Sequence, residues 1–425
     1  MTNRIIALLK ENKRVADYRI NVTATESHEL FFVHKSLETV RSTDTTDLKV
    51  TVFVAGEGTL GDATFSVYAS YGDDDIRREI EAACNKASLA ANEPYALPAD
   101  ETLTAEADSN FKNYNVADLA AAIADAVFAA DSYEGGSINA LEVFLYRDTV
   151  SVLNSRGIDK TEIRYRAMVE AIPTWNGAEE SVELYECHEF TEFDAAAVTA
   201  EIDTRMREVR DRLAAKVPEV KPTCPVVLGA PELANLFFSL AYELTYSGAY
   251  NKTNAFSVGD EIQKNATGDR LSVTMCGAVK GSVRSAAFDG DGTTLVDAEV
   301  IRDGSAVGYF GSARYASYLG EKPTGSLGCL RVATGSLSDA ELRGAPYFRI
   351  ASMSGLQLDI YNDYIGGEVR LAYYFDGERE IPVTGISISG KLSAALSGMR
   401  LSSDSTVYEG YAGPKLASFV GVEIV

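Results

Sequence analysis

Histidine is scarce in this sequence: three in 425 residues, at positions 28, 34 and 188. Every histidine-based centre can therefore be tested position by position. His28 and Glu29, with His34 downstream, have the look of a metallopeptidase helix, but the zinc-binding pair of such a helix stands four residues apart, one turn. Six residues are about 600° of a helix, which puts the rings on opposite faces, or about 20 Å of a strand. Neither spacing lets both rings reach one ion, so the reading is two polar residues on a strand. His188 precedes Glu189 but no second histidine follows, and its neighbour Cys187 diverges from it on any regular backbone.

Other shortages exclude other classes. The five cysteines form no CxxC pair and are odd in number, which argues for reduced thiols rather than a disulfide scaffold. Lys and Arg total 39 against 62 Asp and Glu, a net charge of −23, and such a surface repels phosphate backbones, so no nucleic-acid partner is expected. The densest basic cluster, Arg205, Arg207, Arg210 and Arg212, is interleaved with Glu208 and Asp211 and reads as a solvated helix face. No apolar run approaches the ~18 residues of a membrane span. The start, MTNRIIALLKENKRV, is an amphipathic helix rather than a secretion signal, so the expected location is the cytoplasm, away from membranes. There is no GxSxG elbow, P-loop or dinucleotide fingerprint. A Cys–His pair brought together by the fold has no signal in its favour. Asp289-Gly-Asp291-Gly292 has the opening of a calcium loop, but Val300 stands where the twelfth-position Glu belongs, so a turn is expected.

What is present is an ordinary globular composition, 46% hydrophobic and 24% charged, over a length that favours two domains. Helices are expected at about 3–12, 74–91 and from Asn115, a good N-cap residue. Alternation predicts strands over 18–25, 28–34 and 48–54, a strand pair over 139–153 and a further strand over 163–172. Strands grouped between helices indicate an α+β first domain, a mixed sheet with flanking helices, rather than repeated βαβ units. From about Asp194 to Val217, Val198, Ile202, Met206, Val209, Leu213 and Val217 form one apolar helical stripe. Pro218, Pro222 and Pro225 then end the helix, which places the boundary between residues 1–217 and 218–425. The second part opens with a short strand at 226–228 and a helix carrying Pro231 in its first turn and Gly248 at its end. After that it reads as β-rich, barrel- or sandwich-like, with Asp303-Gly304 and Asp376-Gly377 marking tight hairpins.

Several segments stand in a telling order: Asn154-Ser-Arg-Gly157, Ser257-Val-Gly259-Asp-Glu261-Ile262, Phe288-Asp289-Gly-Asp291-Gly292, Gly308-Tyr309, Arg314-Tyr-Ala316, Gly320, Pro323-Thr-Gly325 and Gly385-Ile-Ser-Ile-Ser-Gly390-Lys-Leu392. In that order they resemble the TldD/PmbA family, on its PmbA (TldE-like) branch. The first is similar to an inter-strand turn of that family, the second to a stretch that follows its long helix, and the last to its C-terminal strand. The resemblance implies an N-terminal α/β domain joined to a β-rich one, and dimers enclosing a cavity. It also implies one branch of zinc peptidases acting on small or unfolded polypeptides through HExxxH and a downstream cysteine, and a second branch that lacks those ligands and partners the first. The family's label as a modulator of DNA gyrase comes with the resemblance, although the charge gives no support for contact with DNA.

The matching helix, Leu233 to Thr245, has no histidine, and Glu243 is the one carboxylate in its middle or end, where a catalytic zinc needs three protein ligands. The expectation is therefore no catalytic and no metal residue here, Cys329 included, with zinc, if any, on a TldD-type partner. Whether the chain is an enzyme is left open, with no catalysis expected from it alone. Tyr242, Glu243, Tyr246, Arg314 and Arg331 are the candidates for cavity or peptide contacts. The partner is a TldD-type subunit or a second copy, the ligand a polypeptide held by strand addition. The alternatives are a stand-alone homodimeric peptide-binding or structural protein, or a peptidase with a different constellation centred on His188.

Overall fold

The structure is a computed structural model and describes residues 1–219, 221–338, 341 and 345–425; Val220, inside the proline-rich boundary segment, lies outside the described residues. The first half is built on an eight-stranded sheet. Its long members are β1 (Asp17–Val33), β2 (Ser36–Ala55), β5 (Gly136–Asn154) and β6 (Asp159–Asn176). They lie in the order β2-β1-β5-β6, all antiparallel. β3 (Leu60–Ser66) lies outside β2, and β4 (Thr102–Glu106), β7 (Ser181–Glu183) and β8 (Glu186–Phe190) pave the outer edge of β6.

These strands are longer than alternation predicted. The runs at 18–25 and 28–34 are one strand, and the expected pair over 139–153 is also one. The reason is exposure: residues 21–26 are at most half-buried and 33–42 are wholly exposed, so the sheet extends beyond its core and burial no longer writes a pattern into the sequence. His28 lies on β1, whereas His34 sits in the following turn at φ 51°.

Even-numbered side chains of β1 face the helices. Ile20 packs with α1 (Thr2–Glu11) and α2 (Asp73–Ala87), and Leu30 with α3 (Val116–Ala129) and α4 (Ala195–Ala214). On β5, Leu141, Val143 and Leu145 join that core while Val152, of opposite parity, packs on the other face against Phe288 of the second half. Asn115 accepts from the Ala117 N–H at 2.9 Å and Asp194 from those of Ala196 and Ala197, starting α3 and α4. α4 ends at Ala214, so Val217 falls beyond its stripe and is exposed.

The second half holds two sheets over one core. Strands β9 (Val226–Gly229), β14 (Tyr347–Met353), β16 (Tyr364–Phe375), β18 (Ile386–Lys391), β19 (Arg400–Leu401), β22 (Leu416–Phe419) and β23 (Val422–Ile424) run in the order β19-β22-β9-β14-β16-β18-β23. β15 (Gln357–Asp359) and β17 (Glu380–Val383) also pair with β16. The other sheet is β12-β11-β10-β13-β21-β20, from β10 (Val273–Cys276), β11 (Ala298–Arg302), β12 (Ser305–Ala306), β13 (Cys329–Val332), β20 (Ser405–Tyr408) and β21 (Tyr411–Pro414). Helix α5 (Ala230–Tyr242) buries Leu233, Leu236, Phe237 and Leu240 in their shared core. The short helices α6 (Tyr246–Asn251), α7 (Ala313–Leu319) and α8 (Leu392–Gly398) complete the half. This is an α+β fold with a sandwich-like second half.

Asp303 and Gly304 both take positive φ, 47° and 77°, in the expected two-residue hairpin. At Asp376 the turn differs. Asp376 Oδ1 accepts from the Glu378 and Arg379 N–H groups, making a four-residue loop in which Gly377 takes positive φ, 106°. Gly248 lies inside α6 rather than ending α5; Lys252, at φ 56°, is the left-handed cap of α6. No helix among the described residues is long and apolar enough to cross a membrane.

Candidate functional site

Helix α5 organises both candidate regions. At its C-terminal end Tyr242 is half-exposed, stacked on Phe238 at 5.6 Å and tilted against Phe310 at 6.2 Å. Burial pushes the Tyr242 phenol up, against the pull of Arg284. Glu243 closes the helix. Its carboxylate accepts from the Ala255 N–H at 2.5 Å and from the Tyr361 hydroxyl at 3.0 Å, so its acceptors serve the fold. Tyr246, buried at the start of α6, donates to the Lys322 carbonyl at 3.0 Å.

Arg314 and Arg331 stand elsewhere. Arg314, on α7, pairs with Asp62 of the first half at 2.6 Å and lies over Tyr95. Arg331, on β13, is exposed and pairs with Asp297. The five sequence candidates thus occupy three places. Cys329 begins β13 directly opposite Cys276 and is fully buried. Sequence reasoning missed Phe238, Phe310 and Arg284, whose guanidinium lies over Phe238 at 5.3 Å. Among the described residues no group of three or more His, Cys, Asp or Glu side chains is placed to hold a metal ion. The donor set at α5 does not fit a catalytic zinc.

The N-terminal end of α5 borders a cavity of about 760 Å³ between the halves, walled by β6, β8, α4, β14 and β20. On its α4 wall Arg205, expected to be solvated, is largely buried. Arg205 pairs with Glu208 at 2.6 Å, Glu201 at 2.9 Å and Glu186 of β8 at 3.2 Å. Those carboxylates outweigh the burial that works against its charge and raise its pKa. Glu186 is pushed up to about 7 by burial, with Arg205 opposing and Glu208, Glu201 and Glu232 adding to the rise. Glu232, in the first turn of α5, is also pushed up to about 7: burial outweighs the N–H groups of Gly229 and Glu232 itself, and the helix dipole that favours an anion there. Its surface is touched by water but ringed by protein.

His188 is pushed down by burial and by Arg205, against Glu201, which keeps the ring neutral. Its Nε2 is buried without a hydrogen-bond partner, 3.8 Å from carboxylate oxygens of both Glu186 and Glu201. The signal for this cluster lay partly in view, since 201, 205 and 208 share a helix face; their meeting with 186, 188 and 232 is purely tertiary.

A helix-backed antiparallel sheet joined to two sheets packed around one helix is the architecture of TldE. The TldE of Thermococcus kodakarensis superposes with a TM-score of 0.81 at 14% identity, over 100% of this chain and 99% of that one. A candidate modulator of a DNA gyrase from Thermotoga maritima gives 0.79 at 15%, over 100% and 99%. A candidate modulator of DNA gyrase from Bacteroides thetaiotaomicron gives 0.78 at 14%, over 99% and 97%. No curated protein sequence matches. Residues 221–421 match the family described as the PmbA/TldA metallopeptidase C-terminal domain. Over those residues, just under half of its length, the chain carries the C-terminal domain of the TldD/PmbA family.

Proposed function

We propose that this chain is a PmbA/TldE-like subunit, itself without a zinc centre, that works with a TldD-type metallopeptidase on small or unfolded polypeptides. The observation that carries this reading is the surface of α5. Where the family resemblance places zinc ligands, the helix presents Phe238 and Tyr242, and its carboxylate Glu243 is occupied by Ala255 and Tyr361. The three histidines lie on β1, in the turn after it and on β8, none of them on α5. Catalysis then belongs to the partner, and this chain supplies the wall of a shared chamber.

The edges bear on how a polypeptide is held. Both second-half sheets end in strands of two to four residues: β12 and β20 in one, β19 and β23 in the other. The longer open edge is on β2, where β3 pairs only with residues 49–55 and Ser36–Leu48 has no partner strand on its outer side among the described residues. Glu38, Arg41, Asp44 and Asp47 along that edge discourage indiscriminate pairing.

The test is elemental analysis and size-exclusion light scattering of the pure chain, alone and mixed with a TldD-type subunit from the same cell. The reading expects substoichiometric zinc on the chain alone, and a mixed dimer that cleaves unfolded peptide. Stoichiometric zinc or peptide cleavage by the chain alone sinks it. A stable homodimer that ignores the TldD-type subunit favours the stand-alone binding protein instead.

A further inference from the structure

We propose that Cys276 and Cys329 are a redox-responsive pair, which hydrogen peroxide closes into a disulfide between β10 and β13 and a thiol reductant opens again. The proposal stands apart from the pairing with a TldD-type subunit.

The first argument is register. Both thiols are free, and the two residues stand directly opposite each other on antiparallel strands. Opposed residues of such strands share a face and have Cα atoms about 4.5–5.5 Å apart, inside the roughly 4.4–6.8 Å that a disulfide spans. Their side chains belong to one small apolar cluster, with Val279 and Ala412. The other cysteines have no such neighbour: Cys84 lies in α2, Cys187 in β8 opposite Glu170, and Cys224 just before β9. A pair of this kind stays a dithiol in a reducing compartment and responds when an oxidant arrives.

The second argument is placement. Cys276 is the last residue of β10 and Cys329 the first of β13, so the pair closes the ladder at its end, where local opening is easiest. On the other side of β10, pairing with β11 stops at Met275. Neither thiol is exposed, because residues 277–286 fold back over them as a short roof. Ala286 donates its N–H to the Gly277 carbonyl at 2.9 Å, and Ser282 its N–H to the Val279 carbonyl at 3.0 Å. This roof is what lifts to admit peroxide.

The third argument is a difference between the two sulfurs. Ser285 gives its hydroxyl hydrogen to the Val279 carbonyl at 2.8 Å. Ser282 Oγ instead accepts from the Arg284 N–H, which leaves its own hydrogen for Cys329 Sγ, 3.5 Å away, where it favours a thiolate. Cys276 is pushed up to about 12 by burial, with Arg331 opposing and Cys329 and Asp297 adding to the rise. Cys329 is therefore the attacking sulfur. Its thiolate takes one peroxide oxygen, the O–O bond breaks, and hydroxide leaves behind a sulfenic acid. The Cys276 sulfur then attacks Cys329 Sγ. The S–S bond forms, the S–O bond breaks, and the departing oxygen takes the Cys276 proton as water. The two sulfurs lose two electrons in all, and peroxide gains them as two waters.

The test is treatment of the reduced, folded full chain with hydrogen peroxide, alkylation of the remaining thiols under denaturing conditions, and mass spectrometry of a non-reduced tryptic digest. The expected product is a peptide linked through Cys276 and Cys329, two hydrogens lighter than its parts, in the majority of molecules. It should vanish when the folded chain is treated with dithiothreitol before digestion. In Cys276→Ser the sulfenic acid on Cys329 has no thiol to resolve it, so it should persist and be labelled by dimedone. Circular dichroism checks that this variant is folded, and if it is not, the unmutated chain alone decides. Peroxide that oxidises Cys187 or Cys224 while Cys276 and Cys329 remain alkylatable, a disulfide between any other two cysteines in place of this one, a linkage that dithiothreitol does not open, or an unlabelled Cys329 in folded Cys276→Ser overturns the proposal.

Discussion

Replacing Glu232 by Gln should stabilise this protein increasingly as pH rises above about 4.5. The side chain stays the same size and keeps its carbonyl acceptor for the α5 N–H groups. What disappears is a carboxylate that burial holds up at about 7, from an ordinary 4.5. A group whose folded pKa is raised contributes stability that is complete below its unfolded pKa and is lost as pH climbs to the folded one. For Glu232 that window runs from 4.5 to about 7. At about 1.4 kcal/mol per pH unit the ionised wild type gives up about 3 kcal/mol by pH 8, an upper figure because the pocket can relax and admit water. Gln gives up none. His188 has the opposite sign, losing stability as pH falls below its ordinary 6.5, but it does so in both proteins and cancels in the difference. The assay is thermal unfolding of both proteins from about pH 4 to 8. The midpoints should agree near pH 4 and separate as pH rises towards 7, by up to about 10 °C at pH 8 for a half of this size. A separation that does not change with pH, or a less stable variant at pH 8, refutes the assignment of a buried, reluctantly ionised carboxylate.

Two further outcomes follow from the geometry. Asp62→Asn removes the partner of Arg314 at the junction of the halves, where both side chains are about three-quarters buried; it should cost about 1–2 kcal/mol in thermal unfolding, whereas Asp47→Asn, at the exposed Lys49 pair, should leave the midpoint unchanged. Equal effects would mean that the Arg314 pair is not shielded. Gly304→Ala puts a Cβ 2.8 Å from Gln263 Oε1 at φ +77°, so its urea midpoint should fall by the equivalent of about 1–2 kcal/mol, and an unchanged midpoint would contradict the left-handed hairpin.

How far the residues announced this structure depended on burial. Where a face is buried the pattern was legible: the stripe of α4, the Pro231 start of α5 and the α+β grouping of the first half all stand. Where the sheet projects past its core, as at the hairpin of β1 and β2, no face is buried and strand ends were misplaced. Asp376-Gly377 kept its hairpin but not its turn, because the Asp376 carboxylate makes a wider loop more favourable. The charged cavity was the least legible feature. Arg205 is identical in sequence terms to a solvated arginine; only the packing of β8 and α5 against α4 turns it into the hub of an ion cluster.

The placement of β9 has a consequence for synthesis. This strand sits between β14 and β22, with Val226 beside Phe348 on one side and Phe419 on the other, and Gly229 at its end starts α5. Its final neighbour is therefore made some 190 residues after it, roughly ten to forty seconds of translation. Through that interval Val226, Val227 and Leu228 leave a sticky flank uncovered on the nascent chain, open to chaperones. A chain cut short before Leu416 would lack β22 and never cover that flank.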